Sequence, residues 1–247
     1  MANAWFRFYE ELNDFLPSSK KKVSFNYSFT GNTAVKDAIE AIGIPHVEVD
    51  LILANSRPVD FSYKLKDEDQ ISVYPVFESL DISGIAKHRI KPLRITRFIN
   101  DVHLGRLAKN LRLCGFDTFF DKDLSDKEII EISLYEKRII LTRDKGLLRN
   151  KEVTHGYWIR STNPDEQIRE VIKRFDLKKN MNPFSRCLEC NGILKTIEGS
   201  EIASRLLPRT LQFYDEFRIC PGCDRIYWNG SHFERMQKRI NNLISDL

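Results

Sequence analysis

The chain has 247 residues, 42% of them hydrophobic and 30% charged, with a formal net charge of +4; that balance builds a folded core and excludes general disorder. No apolar run reaches the roughly 18 residues of a membrane helix, and the opening Met-Ala-Asn-Ala-Trp-Phe-Arg-Phe lacks the basic region and apolar core of an export signal, so a cytoplasmic protein is expected. The charge is uneven: residues 1–85 carry 8 Lys+Arg against 13 Asp+Glu, residues 86–180 carry 22 against 14, and residues 181–247 carry 9 against 8, an acidic block beside a basic body suited to a polyanion.

The first block, 1–82, is predicted to be a small α+β module. Val23, Phe25, Tyr27 and Phe29 alternate with polar residues as a half-buried strand does. Thr33 is placed to cap a helix carrying Val35, Ala38, Ile39 and Ile42, with Gly43 as its stop. Val47, Val49, Leu51 and Leu53 alternate again; Asn55-Ser56-Arg57-Pro58 and Asp67-Glu68-Asp69 read as turns before a strand at Ile71–Tyr74. Residues 81–92 read as a linker.

The second block, 93–180, repeats strand and helix. Strands are expected at Leu93–Ile99, Thr118–Phe120, Arg138–Thr142 and Tyr157–Ile159. Helices are expected from Leu104 to Gly115, from the Ser125-x-x-Glu128 capping box through Ile129, Ile130, Ile132 and Leu134, and from Asn163-Pro164 through Phe175. Nearly all-apolar strands alternating with helices predict a doubly wound parallel sheet.

Such sheets place their chemistry outside the carboxyl ends of the strands, and this chain has acids there. Asp101 follows the first strand, Asp121 and Asp123 the second, and Asp144 the third, with Asp126 in the first turn of a helix. Crowded carboxylates repel unless one is protonated or a cation binds, and hard oxygen ligands select Mg²⁺ or Mn²⁺. Taken singly, Asp126 also suits a helix N-terminus and Asp121 and Asp123 suit turns. Arg106, Lys109 and Arg112 at helical spacing, with Arg143 and Lys145 beside Asp144, are candidate phosphate contacts. Gly-rich dinucleotide, Walker and nucleophile-elbow motifs are absent from the sequence, and Cys114 lies on the apolar stripe of its helix.

The third block, 181–247, holds Cys187-x-x-Cys190 and Cys220-x-x-Cys223. Paired thiols with Asn191-Gly192 and Pro221-Gly222 turns predict a zinc ribbon with a structural, four-thiolate Zn²⁺; a redox dithiol or an iron–sulfur cluster is the alternative. Tyr227, Trp228, His232, Phe233 and Arg235 offer stacking and phosphate contacts or simply pack the small domain.

Phe98–Ala108, Leu111–Thr118, Leu124-Ser125-Asp126 and Ile140–Asp144, together with Arg186–Asn191 and Phe217–Cys223, resemble the Mut-seven C-terminal RNase family. Val73–Asp81 is similar to the ubiquitin-like β-grasp domain that precedes this RNase in bacterial members. The resemblance implies a PIN-like RNase domain at 93–180 between a β-grasp domain at 1–82 and a zinc ribbon at 181–247. It further implies a metal-dependent ribonuclease with core acids Asp101, Asp126 and Asp144 and a further ligand in Asp123. RNA, with tRNA or another structured RNA as candidates, is the implied substrate, and the ubiquitin-like domain is a candidate site for a protein partner. Asn100 stands where the family more often has a small residue. Sulfur-carrier chemistry is not implied, because the chain runs on through Ser83-Gly84-Ile85 instead of ending in Gly-Gly. The competing reading is a non-catalytic RNA- or ribosome-binding module whose acids hold a structural cation.

Overall fold

A computed structural model describes residues 1–75 and 96–245. The predicted linker 81–92, the Val76–Asp81 part of the β-grasp signature and the start of the Leu93–Ile99 strand lie outside the described residues. In chain order the first block forms β1 (Ala2–Phe8), β2 (Phe25–Phe29), α1 (Val35–Ile42), β3 (Val49–Ala54), β4 (Arg57–Val59) and β5 (Asp69–Pro75). The middle block forms β6 (Phe98–Asn100), α2 (Gly105–Leu113), β7 (Thr118–Phe119), α3 (Asp126–Glu136), β8 (Ile139–Thr142), α4 (Lys145–Leu148), β9 (Gly156–Trp158) and α5 (Pro164–Arg174). The last block forms β10 (Lys195–Ile197), α6 (Pro208–Phe213), β11 (Phe217–Ile219), β12 (Ile226–Trp228) and α7 (Ser231–Ser245). These elements gather into two compact units that do not follow chain order: Met1–Ile95 with Asp126–Trp158, and Thr96–Ser125 with Ile159–Leu247.

In the first unit the N-terminal sheet runs β2-β1-β5-β3-β4, with β1 and β5 parallel and the other pairs antiparallel. Alternation in β1 and β5 turns Phe6, Phe8, Ile71 and Val73 into one cluster with Val35, Ala38 and Ile39 of α1. Burial of each large side chain contributes about 1.5–3 kcal/mol. A five-stranded mixed sheet over one helix is the ubiquitin-like β-grasp.

Several local expectations are corrected here. The cap of α1 is Ala34, without a side-chain bond, because the Thr33 hydroxyl donates backward to Thr30 O at 3.0 Å. Val23 is 47% exposed and β2 starts at Phe25. Val47 lies in a 3-10 turn, His46–Glu48, ahead of β3. Asp69 belongs to β5, not to the turn; it is buried and accepts hydrogen bonds from Asn55 Nδ2 (2.8 Å), Tyr63 Oη (3.0 Å) and Lys66 N (2.8 Å), which satisfies a carboxylate removed from water.

The same unit includes α3, β8, α4 and β9, with β8 and β9 parallel. All four residues of β8 are buried, as its apolar run predicts. On α3, Ile129 and Ile130 turn inward, whereas Leu134 is 42% exposed. The β-grasp docks directly on this segment. Trp158 N donates to Glu48 Oε1 at 2.7 Å, His46 Nε2 lies 3.0 Å from Val153 O, and the Phe15 and Trp158 rings meet at 4.8 Å.

The second unit contains the parallel pair β6/β7, with α2 and α5. Leu107, Ala108, Leu111 and Cys114 are buried on the predicted stripe of α2. Asn163 Oδ1 accepts from Asp165 N at 2.8 Å ahead of Pro164, as the Asn-Pro start of α5 predicts. Gly115 ends the α2 segment at φ +94, and a Cβ there would meet Asn182 O at 2.2 Å. No other residue fits that close approach. The antiparallel sheet β10-β11-β12 follows, and no helix among the described residues is long and apolar enough to cross a membrane.

Candidate functional site

The predicted thiolate site is assembled. Sγ atoms of Cys187 and Cys223 lie 3.5 Å apart, those of Cys190 and Cys220 lie 3.2 Å apart, and all four fall within 4.8 Å of one another. A tetrahedral ion with Zn–S bonds of about 2.3 Å needs sulfurs about 3.8 Å apart, so the set fits a structural zinc. Among the described residues it is the one group of three or more potential ligands gathered this closely. A Cβ on Gly192 would sit 3.0 Å from Cys220 Sγ, which explains a glycine in the first knuckle.

Burial pushes the Cys187 thiol up, but hydrogen bonds from the Tyr227 hydroxyl and from the Cys190 and Glu189 backbone amides outweigh it and hold the pKa at about 6. Desolvation and the neighbouring thiols push Cys190 up to about 12. The protein thus prepares the Cys187 thiolate, whereas Cys190 and Cys223, both pushed up, need a cation.

The first knuckle is bolted to the end of α2 and to β7. Arg112, 3% exposed, donates from Nε to Thr118 O (2.9 Å) and from one terminal nitrogen to Leu188 O (3.0 Å) and Glu189 O (2.7 Å). Asn191 accepts from Thr118 N at 3.0 Å and donates to Asp117 at 2.8 Å. Arg186 donates to Gly115 O at 3.2 Å and Asn191 O at 2.9 Å. Lys109 Nζ lies 2.9 Å from Glu189 Oε1, and that bond leads in holding the Glu189 carboxyl below its usual range. Asn191 is marked in the sequence as a knuckle turn, and Asp117 and Arg186 only by the family resemblance; the bonds of Asn191 and Arg186 to Asp117 and Gly115 have no local signature.

In the same unit, Asp101 directly follows β6 and is 4% exposed; its Oδ1 accepts from His103 N at 2.7 Å. Asp123 is exposed, and its N–H donates to Asp121 Oδ1 at 3.0 Å, an Asx turn. Arg106 is exposed on the first turn of α2.

The other unit holds Asp126, exposed at the first position of α3, and Asp144, exposed one residue beyond the end of β8 and capping α4. Asp144 Oδ1 accepts from Gly146 N at 2.7 Å, and its own N–H donates to Thr142 Oγ1 at 2.8 Å. Lys145 does not stand open beside it: the ammonium lies 4.1 Å from the Trp158 ring centroid and 4.8 Å from that of Phe15, a cation–π contact with both rings of the packed pair. Trp158 Nε1 donates to Arg143 O at 3.2 Å. Asp101 and Asp144 are each held in orientation by a backbone N–H two residues on.

A model of the Mut7-C RNAse domain matches residues 96–240, and a model of the Mut7-C ubiquitin domain matches residues 1–81. The chain belongs to the Mut7-C RNase family. The first match takes in β6, β8, the acids that follow them and all four cysteines, and the second takes in the whole β-grasp sheet. A nuclease-type function follows for this Mut7-C chain, with RNA as the class of substrate. No curated protein and no solved structure matches it.

Proposed function

We propose that the protein is a divalent-metal-dependent ribonuclease of PIN-like fold, working in the cytoplasm, with Asp101, Asp126 and Asp144 holding Mg²⁺ or Mn²⁺ and Asp123 as a further ligand. The supporting observation is that Asp101 directly follows β6 and Asp144 follows β8 after the single residue Arg143, both strands being buried, parallel and within the matched RNase region, where open α/β sheets place their chemistry. The donor set fits the ion: hard carboxylate oxygens suit Mg²⁺ or Mn²⁺ and not a soft metal. When bound, such an ion supplies Lewis-acid stabilisation of the phosphoryl oxygens.

The chain's own groups do the rest. Asp101 and Asp144 each commit Oδ1 to a following backbone N–H, which sets the direction of the carboxylate before substrate arrives. Arg106 and Arg143 position phosphates; Lys109 contributes charge shared with Glu189. Arg112 is assigned to structure, since its donors are spent on carbonyls, and Lys145 to its cation–π contacts with Phe15 and Trp158. The ubiquitin-like domain is the element through which a protein partner would bind.

The test is cleavage of single-stranded and tRNA-like RNA with Mn²⁺ by wild type, Asp101→Asn and Asp144→Asn. Each substitution is expected to lower the rate by about 100-fold or more. Equal cutting by all three, or cutting indifferent to chelator, overturns the reading. Salt-sensitive RNA binding that survives both substitutions without any cleavage would establish the binding-module alternative.

A further inference from the structure

The catalytic assignment leaves unused a cavity of about 360 Å³ built within the second unit, at the ribbon and the start of α7. Its walls are aromatic: Tyr214, Tyr227 and Trp228, with Phe184 and Phe233, whose rings lie 4.1 Å apart at 37°. Arg186, Arg218, Asn229, Ser231, His232 and one acid, Glu216, supply the polar lining. The volume lies at the low end for small-ligand pockets; it suits one nucleotide and excludes a duplex.

The walls are set before a ligand arrives. The Tyr227 hydroxyl accepts from Leu188 N at 3.1 Å and lies 3.1 Å from Cys187 Sγ, so the ring is tied to the metal knuckle. Phe184 holds φ +60, a backbone conformation that is costly for a bulky side chain and is kept only where the surroundings enforce it. Its carbonyl accepts from Arg218 at 2.7 Å. Asn229 Nδ2 donates to Glu216 at 3.1 Å. A cavity ordered in this way loses little entropy on binding.

We propose that this pocket binds the base of an unpaired RNA nucleotide, an anchor for the strand built from the ribbon and its flanking helix. The proposal rests on the ribonuclease reading above, which supplies the RNA. Ring faces stack on any base. Arg218, exposed at the rim, meets the phosphate that follows the base. Glu216 argues against a bare anion as occupant, whereas base edges carry N–H donors that a carboxylate accepts.

The test uses the zinc-loaded full chain carrying Asp144→Asn, so that the strand is not cut, without added Mg²⁺ or Mn²⁺. Anisotropy compares a labelled single-stranded RNA of about ten nucleotides with an abasic strand of equal length and charge. The intact strand is expected to bind about 10-fold tighter. Trp228→Ala and Tyr214→Ala are each expected to remove most of that difference while one zinc stays bound per chain, and Trp228→Phe to keep it. Equal binding of intact and abasic strands, or unchanged discrimination in Trp228→Ala with zinc retained, overturns the proposal. So does a hydrophobic peptide that occupies the pocket without displacing RNA. Cleavage by the chain with Asp144 intact is measured separately: cleavage without base discrimination removes only the anchor, and discrimination without cleavage removes only the nuclease.

Discussion

Arg112 shows how one side chain changes meaning between sequence and structure. Arg106, Lys109 and Arg112 lie at helical spacing, so the sequence offers three equivalent cations for phosphate. Residues 188–189, distant in the chain, take the Arg112 guanidinium on their backbone carbonyls and Lys109 on the Glu189 carboxylate, and nothing local to α2 records that. Burial lowers the Arg112 pKa, against the pull of the Cys187 and Cys190 thiolates, and the guanidinium becomes a brace. Arg112→Met keeps the stem but leaves the Thr118, Leu188 and Glu189 carbonyls without donors. Hydrogen bonds to a charged donor contribute about 1.5–3 kcal/mol each and do not add fully, so a loss of about 3 kcal/mol is expected in a urea melt. Arg112→Lys is expected to lose nearly as much, because one ammonium cannot reproduce the planar fork. Exposed Arg106→Ala should stay within about 0.5 kcal/mol of wild type and weaken RNA binding instead. A wild-type melt for Arg112→Met would return that residue to the substrate surface.

At the level of elements, the metal knuckles were legible and the segment between them was not. Two Cys-x-x-Cys pairs, each with its turn, specify a tetrahedral thiolate site because spacing alone lets both sulfurs reach one ion. The 3-10 turn Gly199–Arg205 and α6 leave no comparable pattern; Leu207 and Phe213 are each 74% exposed, so no apolar period marks a buried face. The pKa order within the site gives a measurable consequence. At pH 7 Cys187, at about 6, is mostly thiolate, while Cys190, at about 12, and Cys223, also raised, hold their protons. Zinc binds thiolates, so uptake of one ion must expel at least two protons. Calorimetry of zinc binding in two buffers of different ionisation enthalpy reads that number directly. Release of fewer than two protons would mean that the apo site is already deprotonated, against the geometry around Cys190.

Across the whole molecule, the order of modules is readable from the sequence but their interleaving is not. Alternation at Val47, Val49, Leu51 and Leu53 points Glu48 and Asp50 outward, yet the two acids are 0% and 3% exposed. For Glu48 the cover includes the other part of the same unit: it accepts the Trp158 backbone N–H more than a hundred residues away, a contact with no local signature. The strand ends were legible for a different reason. An acid within two residues of the end of a largely apolar strand is visible in sequence, and Asp101 and Asp144 follow β6 and β8 in that way. If the β-grasp is an integral support of β9, Glu48→Ala should orphan the Trp158 N–H and open a cavity, costing about 2–3 kcal/mol. Hydrogen exchange should then accelerate together in β9 and in β1, β3 and β5, because they open as one cooperative unit. Faster exchange in β9 with an unchanged β-grasp core would show two separately stable parts. In that case the ubiquitin-like domain is an appendage to the segment bearing Asp144, and the contact of Lys145 with the Phe15–Trp158 ring pair plays no part in holding that acid in place.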